Sequence, residues 1–271
     1  MSASTSSQFQ LVKEKGWKRG LRNLIQGEYS SWFKSSRWWK HLLIWFAIIN
    51  VMMAIMVIAS AEEAKKGNEG PPLLLMYGVF GGLFVSFGVM IIMQQVLVRE
   101  KRSGTAAWVL AKPVTRTAFV FSRLVINSIA ILLTAVIVPG VILYLTLGLF
   151  SELGWLSPFG FTAALVMVSL NMFYWITLVL MMGTLSDSSS VVIAVPITLF
   201  FTFSYGTGLL PWLIYVSPLT LLFSSADQLK PLTVSFINGW PVFSWLPLIS
   251  TVVSCVIFIA VAIWRFNRQE F

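Results

Sequence analysis

Residues 73–98 read LLLMYGVFGGLFVSFGVMIIMQQVLV, and residues 99–116, directly after them, read REKRSGTAAWVLAKPVTR. The first stretch carries no formal charge and exceeds the roughly 20 apolar residues that a helix needs to cross a bilayer core. It is continuous rather than alternating, so it reads as a helix and not as a barrel strand. The second stretch opens on Arg99, Glu100, Lys101 and Arg102, a charged cluster that marks the exit from the hydrocarbon. Working outward, five further runs nearly free of charge occupy residues 41–60, 124–149, 159–185, 190–210 and 243–264. Hydrophobic residues make up 57% of the chain and charged ones 11%, where a soluble domain has about half and about a quarter. A soluble fold has no interior large enough for that surface, so the expected class is an all-α integral membrane protein with six transmembrane helices.

The net charge is +9, a value that in a soluble protein would raise nucleic acid as a partner. Its distribution gives another reading. With the N-terminus inside, every Lys and Arg except Lys65, Lys66 and Lys230 falls on the cytoplasmic side, the positive-inside pattern. Six spans return the C-terminus to the same side. The expectation is a multi-pass protein of the cell membrane with both termini cytoplasmic, the lipid bilayer around it, and no nucleic acid. About 40 polar and basic residues precede the first run, which fits a signal peptide poorly. The single cysteine, Cys255, leaves no disulfide framework or cysteine metal cluster within one chain.

Residues 1–10, rich in Ser and Thr, read as a disordered cytoplasmic tail. Residues 11–40 read as an amphipathic helix in the inner interface, with Trp17, Leu21, Leu24, Ile25, Tyr29, Trp32 and Phe33 at roughly helical spacing among Lys18, Arg22, Lys34 and Arg37. Trp38 and Trp39 then suit an aromatic belt. Residues 41–271 form one six-span membrane domain. Gly78, Gly82 and Ser86 make a small-residue face open to close helix approach, within the subunit or from a partner. Pro139, Gly140 and Pro196 are expected to kink their spans. Between spans five and six, Ser217 can cap a short helix with Pro218 at its first position and Leu219, Leu222, Phe223 and Ala226 on one face. A second apolar stretch, 232–237, leads into Asn238 and Gly239. Both are too short to cross, so they read as re-entrant or interfacial helices.

Catalytic chemistry is poorly provided for. His41 is the only histidine, Glu62 and Glu63 sit in an outer loop, and no span carries a carboxylate near its centre, where Asn50, Asn127 and Asn171 are the notable polar groups. The phosphate-cradling pattern G-x-x-x-x-G-K-[ST] is absent. The expectation is a chain with no catalytic site, metal or cofactor of its own, driven from outside the membrane domain.

Residues 99–116 are built to receive such a drive. Ser103 and Gly104 break the second span, residues 105–111 allow about two helical turns, Pro113 ends them, and Thr115 can cap the third span. A short helix between two breakers, joined rigidly to two spans, transmits a push because neither end can absorb it by uncoiling. Trp108, Val109 and Leu110 offer an apolar contact to a groove in a partner.

The stretch resembles the cytoplasmic motif of type-2 ABC transporter permeases, which commonly reads E-x-x-x-G-T-[LA]-E-x-L-L-[SA]-x-P-V-[ST]-R. Glu100, Gly104, Thr105, Leu110, Ala111, Pro113, Val114, Thr115 and Arg116 match in register without a gap. The frequent glutamate of the short helix is Ala107 here. The family-like layout extends to Glu28 before span one, to Ser217, Pro218, Leu219 and Thr220 after span five, and to the basic tail. The resemblance implies an export permease that pairs with a second permease, identical or not, above separate ATP-binding subunits that hold ATP and Mg. It implies that segment 99–116 couples the two, through Glu100, Gly104, Thr105, Leu110, Pro113 and Arg116, to which the apolar-contact reading adds Trp108. A non-transporting signalling or immunity subunit on the same fold is the alternative.

Overall fold

The computed structural model describes residues 16–66, 73–151, 154–223 and 230–269. The 1–10 tail and Ala226 lie outside them. No strand occurs among the described residues, and six helices are long and apolar enough to cross a membrane: Arg37–Lys65, Gly78–Arg102, Arg116–Phe150, Pro158–Leu185, Ser189–Gly208 and Leu246–Asn267. The all-α membrane class and the six spans are thus as the apolar runs predict.

The boundaries differ where polar residues are helical. The third span begins at Arg116 rather than 124, because the Thr115 hydroxyl accepts the Ala118 N–H at 3.2 Å and starts the helix. Hydropathy misses these turns, since they carry Thr117, Ser122 and Arg123. At the N-terminus the 11–40 reading divides in two. Leu21–Phe33 is one helix, and Arg37 already belongs to the first span. Ser35 separates them: its hydroxyl donates to the Ser31 carbonyl at 2.6 Å and accepts the Arg37 N–H at 3.3 Å, competing locally with the helical ladder.

Each of the first three spans contains a π turn, Ala47–Val51, Gly78–Phe84 and Leu133–Ile137. The third has a clear cause. Pro139 lacks an N–H and crowds the carbonyl four residues back, Ala135, which lies inside that turn, so the extra residue relieves the clash. The helix runs on through Pro196 in the fifth span.

The fourth span is the central column. Of its most apolar stretch, 61% lies inside the protein, against 22% for each of the fifth and sixth spans, whose outward faces are left to lipid or a partner. Trp175 and Met172 are fully buried in it, and Asn171 donates to Ser86 Oγ of the second span at 3.3 Å. Ser86 in turn donates to the Gly82 carbonyl at 2.6 Å, so the Asn171 N–H and the Ser86 hydroxyl both have partners in the core, while Asn171 Oδ1 has none among the described residues.

The small-residue face of the second span meets two different neighbours within the chain. Ser86 faces the fourth span, whereas Gly78 and Gly82 receive Leu222, from a non-spanning segment. A Cβ on Gly78 would lie 2.5 Å from the Leu222 carbonyl oxygen. The Ser217 cap is present, accepting the Leu219 N–H at 3.2 Å, but it starts only a single 3-10 turn, Pro218–Leu221. The helix Leu232–Asn238 ends at Gly239 and is almost wholly buried. It packs so tightly on the fourth span that a Cβ on Gly160 would stand 2.5 Å from the Phe236 carbonyl oxygen.

Candidate functional site

The segment between the second and third spans forms the helix Thr105–Leu110. Gly104 precedes it with φ +71, a left-handed conformation that turns the chain sharply out of the second span. Ala106 is buried and anchors the helix, and Val109 and Leu110 pack inward against the core. Trp108 points out, 65% exposed, with the Lys112 ammonium 3.4 Å from its ring centre. Among the described residues this ring is covered on one face by Lys112 and otherwise open.

The far end of the segment is tied to both ends of the described chain. The Thr115 N–H donates to the Arg19 carbonyl at 3.2 Å, and its hydroxyl donates to the Trp17 carbonyl at 2.5 Å. Gly20, at φ +80, lets Val114 lie against bare backbone, since a Cβ there would come 2.6 Å from Val114 Cγ2. Arg116 donates to the Asn267 carbonyl at 2.7 Å.

Beneath the short helix lies a buried ionic cluster. Arg123 grips Glu100 with two hydrogen bonds, Nη2 at 2.7 Å and Nε at 3.0 Å, and also pairs with Glu28 of the N-terminal helix. The side chains are 8%, 20% and 16% exposed for Arg123, Glu100 and Glu28, so the pairs are far less screened than a surface bridge. The Arg123 carbonyl accepts the Asn127 amide at 2.7 Å, and the Asn127 oxygen accepts the Trp32 indole N–H at 2.8 Å. The N-terminal helix, second span and third span are therefore pinned together at one guanidinium.

A family model described as "ABC-2 family transporter protein" matches residues 35–271. The chain belongs to this family of ABC-2 permeases. No curated relative matches it. The match starts after the helix Leu21–Phe33, so Glu28 comes from a segment that precedes the matched region.

Within the permease, the residues singled out from sequence divide into two groups. Glu100 and Leu110 turn inward, and Arg116 binds the end of the sixth span. Gly104, Thr105, Trp108 and Pro113 are on the surface, Thr105 sharing a 2.8 Å hydrogen bond with the Ser103 hydroxyl. Sequence reasoning missed Arg123 as the partner of Glu100, and Asn127 and Trp32, which extend the network from Arg123. The available signal was Glu28, the lone acid of its helix, together with Arg123, the last cation before an apolar run. It also missed Asp187, which pairs with Lys101 at 2.5 Å while its carbonyl accepts the Arg102 Nε at 2.8 Å, fastening the segment to the loop between spans four and five. Glu62 and Glu63 are engaged in exposed pairs with Lys65 at 2.9 Å and Lys66 at 2.7 Å. Among the described residues no three His, Cys, Asp or Glu side chains converge as metal ligands would.

Proposed function

We propose that this permease is the membrane-spanning subunit of an ATP-driven exporter, with the helix Thr105–Leu110 as its coupling helix. It sits in the cell membrane with both termini cytoplasmic, beside a second permease and above separate ATP-binding subunits that carry ATP and Mg. The observation that carries the reading is Trp108, exposed on a short helix between Gly104 and Pro113 that is joined directly to two spans. Closure of the ATPase pair moves its groove, the short helix follows, and the second and third spans tilt. Glu100 and Arg116 pass the motion on, one through Arg123 to the N-terminal helix and one to the sixth span.

The test is Trp108→Ala in the assembled complex. Loss of a buried interface tryptophan removes about 2 kcal/mol or more of binding, so ATPase retention and transport-coupled hydrolysis should both fall by an order of magnitude or more. A complex that hydrolyses and transports normally with this variant, or cross-links that put residue 108 on the extracellular side, would reject the proposal.

A further inference from the structure

Two carboxylates share one guanidinium at the Arg123 cluster, so it holds one more acid than base in a largely desolvated place. The cluster lines a cleft of about 500 Å³ between the N-terminal helix and the first three spans. Arg37 and Arg99, both exposed, line the same cleft. Arg37 makes one side-chain hydrogen bond, to Ser31 Oγ at 3.2 Å, and neither arginine has an acidic partner among the described residues. Toward the membrane interior the wall becomes apolar: Ile92 and Val96 lie along the second span at four-residue spacing from Glu100, on one helix face.

We propose that this cleft holds the headgroup of an aminophospholipid, of the phosphatidylethanolamine type. The primary ammonium donates to Glu28 and Glu100, supplying the cation that the buried cluster lacks. The phosphate accepts from Arg37 and Arg99, and the glycerol end follows Ile92 and Val96 into the bilayer. Both arginines stand close to the ends of their spans, where a helix of this length leaves the hydrocarbon. A choline headgroup has no N–H to offer the carboxylates. An anionic glycerol headgroup leaves them uncompensated. The inference does not depend on the direction of transport or on the ATPase partner.

Native mass spectrometry of the full-length protein in detergent, with equal amounts of phosphatidylethanolamine, phosphatidylcholine and phosphatidylglycerol, tests it. Phosphatidylethanolamine should be retained about tenfold over the other two, the scale of one charged hydrogen bond. Arg37→Gln with Arg99→Gln, both on exposed side chains, should reduce that adduct about tenfold, and Glu28→Gln should narrow the preference over phosphatidylcholine. Equal retention of the three lipids, or an adduct unchanged in the arginine double variant, overturns the proposal. Displacement of the lipid by equimolar O-phosphoethanolamine overturns it too, in favour of a soluble aminophosphate.

Discussion

The two ends of the bundle are held by different forces. At the basic end, segment 99–116 is tied by charge and hydrogen bonds: Arg123 to Glu28 and Glu100, Lys101 to Asp187, Thr115 to Trp17, Arg116 to Asn267. At the other end, Leu222 and the helix Leu232–Asn238 are seated by close packing on bare glycine backbone, at Gly78 and Gly160. Directional polar ties have two discrete states, made or broken, and suit a region that must rearrange. Close-packed backbone contacts tolerate almost no displacement. The contrast sets a directionally tied basic end against a close-packed opposite end.

The largest effect should come from the polar end. Arg123→Met strands two buried carboxylates and should cost about 3–5 kcal/mol, read as a drop in thermal stability of the purified protein. Adding Glu28→Gln and Glu100→Gln to it should recover most of the loss. If Arg123→Met costs less than any glycine substitution at the other end, the contrast fails.

Next comes the packed end. Gly160→Val drives a side chain into the backbone of Phe236 and Ile237, neither of which can swing aside, and overpacking of this kind costs about 1–3 kcal/mol. Gly82→Ala should cost less, because it meets the flexible tip of Leu222 instead of its backbone. Equal stability losses at the two sites would show that this end yields more readily than its geometry implies.

Thr115→Ala removes the cap of the third span, for about 1 kcal/mol, and releases the Trp17 carbonyl as well. Limited proteolysis should then cut near residue 20 sooner than in the parent protein. The smallest effect is expected for Glu62→Gln, which breaks an exposed pair with Lys65. Its melting temperature should stay within about 0.5 kcal/mol equivalent of the parent.

How much of this was legible in the chain depends on the range of the interaction involved. Gly104, Pro113 and the cap at Thr115 could be read because each acts on backbone within a few residues. The span count could be read because a helix in hydrocarbon must satisfy its own backbone and stay apolar for about 20 residues. The inward turn of Glu100 could not. In sequence it is one member of a charged cluster, and only the approach of residue 123 and residue 28 shows that it is not a surface group. The glycine face of the second span was visible as a face, yet its occupant, Leu222, comes from far along the chain.

The amino-acid order alone therefore determined six apolar helices, the two breakers around residues 105–110 and the outward tryptophan's place between them, since these follow from local backbone preference and from the bilayer as solvent. Tertiary structure alone decided which carboxylates share Arg123, which loop Lys101 holds and what rests on Gly78 and Gly160. Those choices need groups distant in sequence to meet within hydrogen-bonding or van der Waals range, and no local pattern carries that information.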